Sequence, residues 1–245
     1  MRAAPLIPAL IALALAGQAA GEAWKQGYSR QAQQALNRGR AAAGGKGWEY
    51  LRGWHETGHD AGPSGAVAYE AWYDPVRYGM RVERQEPDGK DVHGFNGLGA
   101  WRITAAGKIT GTDAPAAVAE ARGEAFYGIQ GYYFSGRFDA AGRYLGMRRL
   151  GAKSFEVVEV KPWNATAREL WFDRKTGLLA REVAKTATGA VTMEFSDYRK
   201  IGPVKVAFHA VIDDGTPGGR HERTIDSLDF KPADRALFSL PRDLK

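Results

Sequence analysis

A chain of 245 residues can bury one sizeable core, and with no cysteine at all it cannot rely on a disulfide framework. Its formal charge of +6 comes from Lys and Arg spread along the sequence, without the concentrated basic run that nucleic-acid binding requires. Seven Trp, ten Tyr and ten Phe supply enough rings for a core or for the lining of an apolar cavity.

Met1-Arg2 is a positive start, Leu6 to Ala16 is an apolar run of eleven residues, and small residues follow at Gly17-Gln18-Ala19 and Ala19-Ala20-Gly21. This reads as a secretory signal peptide over residues 1–20, since a spanning helix needs about 20 apolar residues. With no cysteine to carry a lipid anchor, residues 21–245 are expected to form one soluble domain in a Gram-negative periplasm. Ser29 to Ala43 predicts a first helix, with Ser29 as cap and Ala32, Ala35 and Leu36 as the apolar stripe. A strand is expected from Trp48 to about Thr57. Gly65 to Tyr73 alternates cleanly, and after Asp74-Pro75 the residues Tyr78, Met80 and Val82 share one face. Two shorter strands, Asp91 to Asn96 and Ala100 to Thr104, flank Gly97-Leu98-Gly99.

The period changes at Asp113-Ala114-Pro115. Ala116 to Phe126 predicts a second helix, with Asp113 as cap and Pro115 in the first turn. Gly128 to Phe134 continues as an aromatic segment too apolar for an exposed helix. Strands resume at Arg143 to Leu150 and Ser154 to Lys161. A meander then starts at Ala167: Arg168, Leu170 and Phe172 lie on one face, Glu169, Trp171 and Asp173 on the other. Gly177 can take the positive φ that closes its first hairpin. Val191, Met193 and Phe195 mark the third strand of the meander, Val204, Val206, Phe208 and Ala210 the fourth, and Glu222 to Phe230 a last one. The fold class is therefore mainly β (α+β), with about eleven antiparallel strands, one helix before the sheet and one inserted in its middle. Such a sheet splits into a sandwich or curls wholly or partly into a barrel.

The hairpin Glu169-Leu-Trp-Phe-Asp-Arg-Lys-Thr-Gly-Leu-Leu is similar to one found in outer-membrane lipoprotein-sorting carrier-like (LolA/LolB-like) periplasmic proteins. Phe195-Ser-Asp-Tyr-Arg, the Gly202-Pro203 turn with Val-Lys-Val-Ala-Phe, and the terminal Leu237-Phe-Ser-Leu-Pro resemble the same group. The resemblance implies an unclosed, strongly curved antiparallel β-barrel, with helices covering a concave face that holds acyl chains or other apolar groups. It implies lipid or lipoprotein acyl chains as partners, with an outer- or inner-membrane protein as a further partner, and no cofactor.

Two chemistries compete with that reading. His55-Glu56-Thr57-Gly58-His59 is a literal H-E-x-x-H, the spacing by which a helix presents two imidazoles to zinc while the Glu activates water. Gly53, Gly58, Gly62 and Pro63 argue against a helix there. On a strand, residues four apart lie about 13 Å apart, too far to share one ion. Glycoside hydrolysis would need a carboxylate pair that the sequence alone cannot bring together. No Gly-x-Ser-x-Gly elbow and no phosphate loop occur. The candidate ligand-binding set on the carrier reading is Tyr69, Tyr73, Tyr78, Met80, Trp101, Phe126, Tyr132, Phe134, Trp171 and Phe195; in any sheet protein many of these would simply be core. Phe126, Tyr127, Tyr132, Tyr133 and Phe134 are the expected mobile lid, and Tyr132→Ser with Phe134→Ser is expected to weaken apolar-ligand binding while leaving folding largely intact. A scaffold whose concave face is filled by its own side chains is the third possibility.

Overall fold

The computed structural model describes residues 27–134, 136–186 and 189–240, so the expected signal peptide at residues 1–20 lies outside the described residues. The first helix, α1 (Arg30–Ala42), begins where expected: Ser29 Oγ accepts a hydrogen bond from the Ala32 N–H at 3.3 Å. Its buried stripe is Ala32, Ala35, Leu36 and Gly39. The expected strand from Trp48 is a correction. Gly45–Tyr50 is a 3-10 turn, held because the Trp48 indole N–H reaches back to the Ala43 carbonyl at 3.2 Å.

Six strands then form a meander: β1 (Trp54–Gly62), β2 (Gly65–Asp74), β3 (Gly79–Glu86), β4 (Gly89–Phe95), β5 (Ala100–Ile103) and β6 (Ile109–Thr112). Helix α2 (Pro115–Gly128) and a 3-10 turn at Gly131–Tyr133 follow. The cap of α2 also differs from expectation. Ala114 occupies the cap position without a side-chain hydrogen bond, and Pro115 opens the helix. A second meander completes the chain: β7 (Ala140–Leu150), β8 (Lys153–Pro162), β9 (Arg168–Asp173), β10 (Leu179–Thr186), β11 (Gly189–Ile201), β12 (Val204–Asp213) and β13 (Arg220–Asp229).

All thirteen strands belong to one antiparallel sheet, in the order β6-β5-β4-β3-β2-β1-β13-β12-β11-β10-β9-β8-β7. Thirteen rather than about eleven arise in part because Ile109–Thr112, too short to show an alternation in the sequence, pairs with β5. The two meanders are joined along β1 and β13, with His55 opposite Asp229 and Ala61 opposite Glu222. The edge strands β6 and β7 do not pair with each other, so the sheet is open. Alpha-2 contacts β4 and β5 on one side and β8 on the other, spanning that opening. The result is an open, curved barrel with both helices on one face.

Local chemistry explains the turns. Asp173 Oδ1 accepts from the Lys175 and Thr176 N–H groups at 2.9 Å each, and Gly177 takes φ +74° to close the β9–β10 hairpin. Among the described residues no helix is long and apolar enough to cross a membrane.

Candidate functional site

Strand register sorts the side chains onto two faces. Trp54, Ala71, Tyr73, Met80, Val82 and Phe95 from the first meander join Leu170, Phe172, Val204, Val206 and Phe208 from the second in one buried cluster. This is the concave face, because α1 and α2 contribute Leu36, Ala125, Phe126 and Tyr127 to the same cluster. Eight of the expected ligand-binding residues meet in this cluster or against it: Tyr69, Tyr73, Tyr78, Met80, Phe126, Tyr132, Phe134 and Phe195. Phe195, half-buried on β11 opposite Ala210, packs against its margin.

Trp101 and Trp171 are corrections. Trp101 pairs across the strands with Gly94, not with the Phe95 side, and donates its indole N–H to the Phe238 carbonyl at 2.9 Å. It lies under the C-terminal segment on the convex face. Trp171 alternates with Leu170 and Phe172, so it too points outward, where its ring packs on Phe155 and beneath Arg181. Neither belongs to the concave set.

The aromatic half of the concave face is filled. Tyr133 packs against Trp48 with tilted rings at 5.0 Å, Tyr132 meets Tyr133 edge-on at 4.6 Å, and Phe134 packs on Phe138 and Trp48. The expected lid residues are all buried. Truncating Phe134 therefore removes a core ring and costs about 3–5 kcal/mol, so folding would not be left intact by that change. Tyr78, at φ +69°, packs edge-on to Phe95 and Phe138 with its hydroxyl buried and without a partner.

The other half of the same face is charged, an arrangement with no local signal in the sequence. Asp60 accepts from Arg84 at 2.5 Å and from Arg223 at 2.8 Å, and Arg223 lies over the Tyr69 ring at 4.8 Å. Burial alone would raise the Asp60 carboxyl, but the two guanidinium groups outweigh it and hold it at about 2. Glu56 accepts from Trp54 at 2.7 Å and Tyr69 at 3.2 Å, and burial pushes its carboxyl above the ordinary range. Across the opening, Arg168 pairs with Glu182 and covers the Tyr127 ring at 4.2 Å. His93 on β4 bonds Glu124 on α2 at 2.9 Å. Burial would lower His93 and raise Glu124, yet each favours the other's charge: the imidazole is raised and the carboxyl lowered.

The H-E-x-x-H stretch lies on β1, where alternation puts Glu56 on the concave face and both histidines on the convex one. His55 stacks on Trp72 at 5.1 Å and bonds Glu70 at 2.8 Å, and His59 bonds Asp226 at 3.2 Å. The three side chains do not converge. Among the described residues no group of three or more His, Asp or Glu is placed to hold a metal ion.

No family model and no curated protein sequence matches the chain. Solved structures do match its fold. A LolA superfamily protein from Nitrosomonas europaea aligns with TM-score 0.58 and 11% identity, over 85% of this chain and 97% of that one. A DUF1329 family protein from Desulfovibrio piger aligns with TM-score 0.55 and 9% identity, over 86% and 96% respectively. An outer membrane lipoprotein-sorting protein domain from Vibrio parahaemolyticus aligns with TM-score 0.51 and 12% identity, over 81% and 92%. The fold is LolA-like, as the hairpin motifs implied.

Proposed function

We propose that this protein is a periplasmic, non-catalytic binding or carrier protein for a lipid, a lipoprotein acyl chain or another apolar ligand. One observation carries the reading: the sheet is open, and one continuous segment running from α2 to Phe138 both spans the opening and fills the aromatic half of the concave face. Here the filling rings come from a segment tied to the sheet at a few points: His93–Glu124, Arg122 over Phe95 at 5.9 Å, and the Tyr127 hydroxyl on the Val160 and Thr166 carbonyls at 2.7 and 3.1 Å. If that segment swings out, it uncovers apolar surface of acyl-chain character. The LolA-like fold supports the same reading, since one structure of this fold is named for lipoprotein sorting.

Native mass spectrometry of the protein purified from a periplasmic extract, without detergent or added metal, tests it. A co-purifying species of lipid mass is expected. A bare polypeptide that also fails to take up added lipid would leave the scaffold reading in its place. A stoichiometric zinc adduct lost in His59→Ala would overturn the non-catalytic reading.

A further inference from the structure

The concave face carries a second pattern, and its meaning rests on the carrier reading above. In three ion pairs on its charged half the guanidinium is the more exposed partner. Arg223 is 32% exposed and Asp60 beneath it 5%; Arg168 is 23% and Glu182 7%; Arg102 is 34% and Asp91 11%. The carboxylates are buried as anchors, and what faces the opening is a row of N–H donors. One anion already occupies that row. Glu124, brought in by α2, bonds His93 directly at 2.9 Å, and the positive charges of Arg168 and Arg223 add to those that hold its carboxyl low. Arg168 reaches the same stretch of helix, stacking on Tyr127 one turn further along.

We infer that Arg168, Arg223 and His93 form a subsite for the oxyanion head of an amphiphile, and that Glu124 is the internal anion that fills it until the ligand arrives. The adjoining aromatic half then takes the acyl chain. An apolar ligand without a head would need no such row: burying it against half-exposed guanidinium groups would cost their hydration with no compensating bond. A carboxylate or phosphate would replace the Glu124 carboxylate by charge-assisted hydrogen bonds of the same kind. Displacement of Glu124 also removes one of the ties of α2 to the sheet, so head binding and opening of the segment are one event.

The test compares three single-chain probes by displacement of a neutral fluorescent dye: oleate, oleoyl lysophosphatidylglycerol and oleyl alcohol. At least one anionic probe is expected to bind about tenfold tighter than the alcohol, and the tighter of the two identifies the head as carboxylate or phosphate. Arg168→Gln with Arg223→Gln should reduce that preference to about twofold or less while leaving oleyl alcohol binding unchanged. That variant breaks two buried pairs, so Glu124→Gln supplies an arm with little risk to folding: it should tighten the anionic probes by clearly more than it tightens the alcohol, which gains only from the loosened α2 tie. Equal affinity for all three probes, or anionic binding weakened by Glu124→Gln, would overturn the subsite and leave the carrier reading standing. No binding of any probe would overturn both.

Discussion

Glu56 and Asp60 stand four residues apart on the same face of β1, yet their protonation behaves oppositely, because only one has cationic partners in contact. Asp60 is held at about 2 against an ordinary 3.8 by Arg223 and Arg84, although burial opposes this. Its folded form therefore prefers the charged state. The contribution, about 2 kcal/mol, is complete above about pH 4 and lost as pH falls towards 2. Glu56 is raised by burial, so its folded form prefers the neutral state. That contribution is complete below the ordinary carboxylate range and is lost as pH rises through the raised value. Glu56→Gln, which mimics the neutral acid, should flatten the fall in stability on the alkaline side without touching the acid limb. Asp60→Asn should do the reverse, at a net cost, since it leaves two arginines short of a charge. Urea midpoints across pH 2–8 for the two variants separate these effects; identical profiles would refute the assignment. Neither behaviour was legible in the sequence. Asp60, Arg84 and Arg223 come from three strands, and their meeting depends on β1 pairing with β13, a register that no local pattern encodes.

At the scale of elements, the sequence was most informative where a period or a turn dictates structure locally. The Asp173–Gly177 hairpin and the Ser29 cap are written in residues next to one another, so both were readable. Trp171 is also readable as the neighbour of Leu170 and Phe172 on the opposite face. Trp101 had no such local signal, since the segment that covers it arrives about 137 residues later in the chain. Alpha-2 matters most for function. Gly123 on this helix faces Ala165 in the β8–β9 connection, and a Cβ at Gly123 would lie 3.5 Å from the Ala165 Cβ. That separation suits a disulfide. Because the chain has no cysteine of its own, Gly123→Cys with Ala165→Cys gives one unambiguous bridge. Oxidised, the variant should keep the fold and lose at least about tenfold in lipid uptake; reduction should restore it. Undiminished uptake in the oxidised form would show that α2 need not move, and the carrier reading would lose its opening.

For the molecule as a whole, the decisive contact is the seam. Every other neighbouring pair of strands is consecutive in sequence, so each meander could form from local hairpins, whereas β1 and β13 must find one another across most of the chain. Contacts of that separation carry a large loop-closure cost and are made late. At the seam the register shifts between Thr57 and Gly58, and Gly58 is there for a steric reason. A Cβ on it would sit 2.2 Å from the Thr224 carbonyl oxygen and 2.8 Å from the Tyr69 ring. The ring can turn aside, but the carbonyl belongs to the β13 backbone. The glycine that argues against a helix in the H-E-x-x-H stretch is thus explained by sheet packing. Gly58→Ala should push the two meanders apart and cost on the order of 3 kcal/mol, with most of the loss appearing as faster unfolding if the seam forms after the folding transition state. Urea unfolding followed by both Trp fluorescence and far-UV circular dichroism reads the outcome. One shared transition at a lower midpoint means that the open sheet is a single cooperative unit, with α2 and the seam closing it from opposite sides. Two separated transitions would mean that each meander holds its own structure. The space beneath α2, walled by β4 and β5 of one meander and β8 of the other, would then change shape whenever the seam loosened.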